Sequence, residues 1–372
     1  MPEIQPFKLE RYFAHYEFNV KYLLSPSDCE SLSQKDLLAL ADAESLARWE
    51  NLSLGYTESS GLPALRQQIV QQYPGLTADQ ALVAAPEEAI FIAMQVLLRQ
   101  GDHVIVLSPA YQSLYEIARS IGCEVTPWYV QPEKGRWLLD LEYLKQATRP
   151  QTRLLVVNFP HNPTGFLPTL PEFQEIINLA RQNNLILFCD EMYRSLEYHP
   201  EDRLPPACIL YEKAISLSGV SKTLSLPGLR IGWLATQDQE LMHRFQHYKD
   251  YTTICSSAPS EVLALIGLRA QEQILQRNLG IIQSNLQFAH AFFTENERLF
   301  EWYPPRAGSV AFPGWKGKEN LERFCQQMLD QQGIMIVPGN MFEYPGAHFR
   351  VGLGRINFPE ALEKIRTEIK SV

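Results

Sequence analysis

The chain has 372 residues, 45% of them hydrophobic and 20% charged, with a formal net charge of −9. That length asks for two domains, or a large domain with a smaller one attached. The acidic balance and the lack of any dense Lys/Arg cluster exclude the footprint of nucleic-acid binding, and no apolar run approaches the ~20 residues that span a bilayer. A small molecule is the expected partner, with no nucleic acid and no membrane. The N-terminus lacks a basic start followed by an apolar core, so no signal peptide is expected. Six scattered cysteines without Cys-x-x-Cys spacing fit reduced thiols and a cytoplasmic location.

From about residue 80 to 240 short apolar runs alternate with segments of helical period. This is the pattern of an α/β fold, a mostly parallel sheet covered by helices. In chain order the spacing predicts a helix over 87–100, a strand over 104–108, a helix over 111–121 and strands over 124–130 and 154–159. A helix over 169–183 and strands over 185–190, 213–218 and 230–235 follow. Pro or Thr opens several of the helices, as helix starts prefer. After about residue 258 a long helical stretch, 260–297, gives way to Pro304-Pro-Arg-Ala-Gly308 and then to strands over 334–339 and 348–355, which read as a smaller α/β unit.

In an open α/β sheet ligands bind outside the carboxyl ends of the strands, so the residues after each apolar run carry the chemistry. Strand 104–108 is followed by Tyr111, strand 154–159 by Asn162-Pro-Thr-Gly165, and strand 185–190 ends in Asp190-Glu-Met-Tyr193. Strand 213–218 is followed by Ser221-Lys222, with Arg230 eight residues on. A lysine among small and apolar neighbours is partly desolvated, which lowers its pKa toward a nucleophilic amine able to form a Schiff base. Ser218, Ser221 and Arg230 are suited to a phosphate, the arginine through its bidentate fork. Singly, each feature has a plain structural reading: a snorkelling lysine, a helix N-cap at Asp190, a turn at Asn162, a packing tyrosine at Tyr111. An amine, a guanidinium, an acid, a phenol, an amide and an aromatic at one sheet edge form a set that packing has no reason to assemble.

Asn162-Pro-Thr-Gly, Asp190-Glu-Met-Tyr193, Ser221-Lys222 with Arg230, and Phe349-Arg350-Val resemble, in order and spacing, the motifs of class I/II pyridoxal-phosphate-dependent aminotransferases of fold type I, the aspartate aminotransferase superfamily. The resemblance runs from about residue 50 to the C-terminus. It implies a large domain whose mostly parallel sheet is sandwiched by helices, over residues 47–275. A smaller α/β domain over 276–372 would be joined by the N-terminal segment 1–46. It further implies pyridoxal 5'-phosphate held by Lys222 as an internal aldimine, with Lys222 then moving the substrate proton. Asp190 would pair with the pyridine nitrogen, Tyr193 and Asn162 would bond the ring 3-oxygen, and Tyr111 would stack on the ring. Arg230, with Ser218 or Ser221, would hold the phosphate. Arg350 would clamp the substrate α-carboxylate beside Asn162. Lys222, Asp190 and Tyr193 are thus the expected catalytic residues.

The resemblance places Ala85 and Glu87 in a phosphate-cradling loop, although Pro86 removes a donor and Glu87 and Glu88 are acidic where an anion is expected. Leu24-Ser-Pro-Ser-Asp28 stands where the family has a glycine-containing loop, and the glycine is absent. Tyr56, in Leu54-Gly-Tyr-Thr-Glu-Ser-Ser-Gly61, matches the tyrosine that reaches the neighbouring subunit's phosphate, which implies a homodimer; plain packing is the alternative. His243-x-x-x-His247 lacks the glutamate of a zinc-protease motif and reads as a solvated helix face, so no metal is expected. Gly352-Leu-Gly354 lacks the third glycine of a dinucleotide fingerprint. Residues 251–257 contain no arginine where relatives with acidic substrates carry one, which disfavours a dicarboxylic substrate. The expected activity is transfer of an amino group between an α-amino acid and a 2-oxo acid. The competing expectation is a related lyase or cyclase, capreomycidine-synthase-like, since loss of the Cα proton can also lead to elimination. A catalytically silent binding protein would have no reason to keep Lys222, Asp190 and Arg350 together.

Overall fold

The computed structural model describes residues 3–369; the outermost residues of the expected terminal segments, 1–2 and 370–372, lie outside them. A first helix, α1 (Lys8–Tyr16), precedes a central sheet of seven strands. These are β1 (Ala81–Ala84), β2 (His103–Ser108), β3 (Glu124–Tyr129), β4 (Thr152–Asn158), β5 (Ile186–Asp190), β6 (Ala214–Gly219) and β7 (Gly232–Thr236). Their spatial order is β1-β7-β6-β5-β4-β2-β3. All neighbours are parallel except β7, which runs antiparallel to both β1 and β6.

The strands are apolar on both faces because both faces are covered. Val104, Val106, Leu154, Val156, Phe188 and Leu217 point into one core, and the alternate residues Ile105, Leu107, Leu155, Val157, Leu187 and Cys189 into a second. Helices α2 (Pro86–Leu97), α3 (Ser113–Ile121), α4 (Leu170–Gln182) and α5 (Gln239–Lys249) are among those that cover the sheet. Thr169 caps α4 through a reciprocal capping box with Glu172.

The expected ends shift elsewhere, as where strand 348–355 is observed over Phe349–Gly352, and three elements differ in kind or start. The stretch 260–297 is two helices, α6 (Ala258–Arg269) and α7 (Gln271–Glu295), because Ala270 leaves helical geometry. At that point a segment buried on nearly all sides hands over to an amphipathic one. Strand 230–235 starts only at Gly232, since Arg230 is left-handed with φ 57°. The run 334–339 is two short strands with different partners: Ile334–Met335 pairs parallel with Tyr22–Leu23, while Val337–Pro338 pairs antiparallel with residues 349–350. Val310–Ala311 completes this small sheet against residues 351–352.

Candidate active site

Strand polarity gathers the polar groups at one edge. β2, β4, β5 and β6 are parallel, so their carboxyl ends deliver Tyr111, Asn162, Asp190 and Lys222 to the same side. Arg230 joins them from the opposite end of its strand, because β7 is antiparallel and its start lies at that edge. These side chains line one cavity of about 500 Å³, together with Tyr193, Ser221, Glu87 and, from the small sheet, Arg350. A cavity of this size lies within the usual range for a small-molecule site.

Lys222 lies in the helical turn Val220–Thr223, directly after β6. Burial pushes its pKa down, an effect that nearby Asp28 opposes. Its Nζ donates to Ser27 Oγ at 3.0 Å. Asp190 is buried, and its Oδ1 accepts the backbone N–H of Met192 at 3.0 Å. Desolvation raises its pKa to about 7 despite that hydrogen bond. Tyr193 is also buried, and its phenol is raised for the same reason.

The loop after β4 is fixed from both sides. Asn162 N–H donates to Asn158 Oδ1 at 2.7 Å, while Asn158 Nδ2 donates to the Asp190 carbonyl at 2.9 Å, so the two strand ends are tied together. Gly165 in this loop has φ +66°, and a Cβ there would lie 2.2 Å from Pro305 Cβ and 2.5 Å from the Val310 carbonyl oxygen. Glycine takes that backbone angle at no steric cost, and its missing Cβ lets residues 305–310 approach so closely.

Arg350, 2% exposed, lies on the central strand 349–352 of the small sheet. Its Nε donates to the Ser25 carbonyl at 2.9 Å and its Nη1 to Asn162 Oδ1 at 3.1 Å. Among the described residues no carboxylate forms an ion pair with it. Ser25 braces it further: its Oγ donates to the Arg350 carbonyl and accepts from Val337 N–H. The loop 24–28 lacks the expected glycine, and the glycine needed sits opposite. A Cβ on Gly352 would be 2.0 Å from the Pro26 carbonyl oxygen, so Gly352 belongs to a backbone contact and not to a dinucleotide site.

Glu87 lines the cavity, accepts from Ser113 Oγ at 3.3 Å, and has its pKa raised to about 7 by burial. Glu88 is turned away toward Thr252 and Thr253 and accepts Ala85 N–H at 3.3 Å. Ala85 and Ser218 are not among the residues lining the cavity, and Tyr56 is 93% exposed at a distance from it. His243 and His247 lie on the exposed side of α5.

The cavity also contains groups that reading strand ends does not find: Ser27, and Glu10, Phe13 and Glu17 from α1 and its C-cap. Tyr111 donates to Glu10 Oε1 at 2.6 Å and its ring lies 4.8 Å from that of Phe7. The one sequence signal for this helix is the spacing of Glu10, Phe13 and Glu17 at i, i+3 and i+7.

This donor set fits pyridoxal phosphate: an amine of lowered pKa, a buried carboxyl, a phenol, an amide and a guanidinium share one cavity. Ser221 Oγ adds a buried hydroxyl for which no partner is found among the described residues.

Comparison with known proteins agrees. The profile of aminotransferase class I and II matches residues 20–366. Glutamate-pyruvate aminotransferase AlaA of Escherichia coli is 30% identical over 332 residues, 80% of this chain and 77% of that protein. Capreomycidine synthase of Streptomyces vinaceus is 30% identical over 255 residues, 68% of this chain but 65% of that enzyme's length. The crystal structure of a pyridoxal-phosphate-dependent aminotransferase from Streptococcus suis superposes with a TM-score of 0.92 at 31% identity, covering 100% of this chain and 99% of the other. With matches of this extent, and a cavity whose donors fit pyridoxal phosphate, the chain belongs to the class I and II aminotransferases.

Proposed function

We propose that the protein moves an amino group between an α-amino acid and a 2-oxo acid, using pyridoxal phosphate held by Lys222. The observation that carries this reading is that Lys222 and Arg350 open into one cavity from separate sheets. One brings an amine and the other a carboxylate-binding fork, the two groups an α-amino acid demands. When bound, pyridoxal phosphate supplies an electron sink for the substrate's Cα. Asp190 would hold a proton at the ring nitrogen, Tyr193 and Asn162 would donate to the ring oxygen, and Tyr111 would cover the ring. Arg230 and Ser221 would hold the phosphate, with Ser218, Ala85 and Glu87 nearer its periphery.

The residues of this chain then divide the work. Arg350 fixes the substrate α-carboxylate, which restricts rotation and presents the Cα–H bond in one orientation. Lys222 Nζ is the base that takes the Cα proton, and its lowered pKa increases the neutral fraction able to do so.

Within this reading the chain divides into a large unit over 47–275 and a small one over 276–372 that the N-terminal segment 1–46 joins. The pairing of residues 22–23 with 334–335 supports that last attachment. The active unit is a homodimer in which Tyr56 reaches its neighbour's site; the exposure of Leu54, Tyr56 and Tyr251 supports a covered surface there. Six free cysteines support a reducing, cytoplasmic setting.

Incubation of holoenzyme with an amino-acid panel and a 2-oxo acid tests the reaction. A new amino acid together with the donor's oxo acid is expected. Release of ammonia or a cyclised product instead would replace transfer by a lyase or cyclase reaction, a second reading that the similarity to capreomycidine synthase supports.

A further inference from the structure

The charges in the cavity are not all used by an amino group, a carboxylate and a phosphate. On the wall made by α1, Glu10 and Glu17 flank Phe13, spaced so that all three share one helix face, and all three line the cavity. Asp28, also in the lining, is neutralised by Arg355 at 3.0 Å. Glu17 has no such partner among the described residues. It also caps the carboxyl end of its helix, where the exposed carbonyls favour a cation and disfavour a carboxylate. Burial, and next the charge of Asp28, push its pKa up.

Two buried polar groups in the same cavity keep bonding capacity that a bound molecule could take up. Arg350, 2% exposed, has no ion pair among the described residues, and Ser221, 3% exposed, has a hydroxyl without a partner there. Those two account for anionic parts of what binds. The acidic face of α1 is the opposite in sign and lines the same cavity, with the Phe13 ring 5.7 Å from the Arg350 guanidinium.

We infer that Glu17, assisted by Glu10, receives a cationic side chain, so that the amino-acid substrate is basic, carrying an ammonium or a guanidinium at its far end. This rests on the proposed site, in which Arg350 takes the α-carboxylate. The substrate thereby spans the cavity with its carboxylate on the small sheet and its cation on α1, and Phe13 packs along the methylenes between. Glu10 also accepts the Tyr111 hydroxyl, so its contribution is shared with positioning that ring.

The test uses holoenzyme and titrates lysine, ornithine and arginine against the neutral isosteres norleucine and citrulline, and against glutamate. Dissociation constants are read from the cofactor absorbance and kcat/KM from product. The cationic amino acids should be favoured over their isosteres by about tenfold or more. Glu17→Gln should lower that ratio, and Glu17→Asp should restore part of it. Preference for lysine and ornithine identifies an ammonium, preference for arginine a guanidinium, and either supports the inference. Equal binding of cationic and neutral amino acids, or a ratio unchanged in Glu17→Gln, would overturn it while leaving amino-group transfer intact. Preferred binding of basic amino acids with ammonia or a cyclised product as outcome would support it and overturn transfer.

Discussion

Arg350 and Asn162, which are 188 residues apart in sequence, meet at 3.1 Å, the guanidinium Nη1 donating to the amide Oδ1. One comes from the small sheet and the other from the loop after β4, so the proposed substrate clamp is aimed by a contact between the small sheet and an edge of the large one. Arg350→Lys keeps the charge but loses the planar fork, and should raise KM for the amino acid by about tenfold or more with a smaller effect on cofactor binding. Asn162→Ala frees the same guanidinium and should move KM in the same direction. Steady-state kinetics beside a cofactor titration separates the two effects.

Lys222→Ala should abolish turnover and, in the same experiment, remove the covalent label that borohydride leaves on the wild-type peptide containing Lys222. Arg230→Ala should keep the label and weaken retention of the cofactor on dilution. If borohydride trapped the cofactor elsewhere in the chain, the assignment of Lys222 would fail.

Asp190 makes the cofactor-free protein sensitive to pH in a definite direction. Its carboxyl is raised to about 7 in the fold, above the usual carboxylate value of about 3.9. The folded state therefore holds the proton that the unfolded state has released. This contribution to stability is fully present below about pH 4 and is lost as pH rises toward 7, by at most ~1.4 kcal/mol per pH unit. Asp190→Asn removes it. The stability of wild-type relative to the variant, followed by denaturant unfolding without cofactor, should fall between pH 4 and pH 7; a difference independent of pH would contradict the burial argument.

Gly165→Ala puts a methyl group against Pro305 and the Val310 carbonyl in a left-handed backbone position. A loss of about 1–3 kcal/mol is expected. Because the loop also carries Asn162, the surviving folded protein should show raised KM as well as a lower midpoint of unfolding.

The strands that carry the site were legible because sheets covered on both faces write themselves as unbroken apolar runs; Asp190 ends one of them, and Asn162 and Lys222 follow two others. β1 was not singled out: four residues, Ala-Leu-Val-Ala, are too few to separate a strand from a helix start. α1 was not read as part of the site because its contacts are distant in sequence, as in the bond between Tyr111 and Glu10, 101 residues apart. No local pattern marks such a pairing. The break at Ala270 was hidden for the opposite reason, since both neighbouring segments have good helical sequence and only burial differs. The expected unit boundary at 275 falls within α7, a helix that continues past it.

Ser25 and Ser27, with one residue between them, hold the two groups proposed to bind the carboxylate and move the proton. The Ser25 carbonyl receives Arg350 Nε, and the Ser27 hydroxyl receives Lys222 Nζ. Two residues of chain reach at most about 7 Å, so this short piece works as a ruler between the Arg350 guanidinium and the Lys222 amine, the proposed grip and base. Lengthening it by a single residue would add a step of about 3.5 Å, enough to part grip from base while leaving every side chain at the sheet edge untouched.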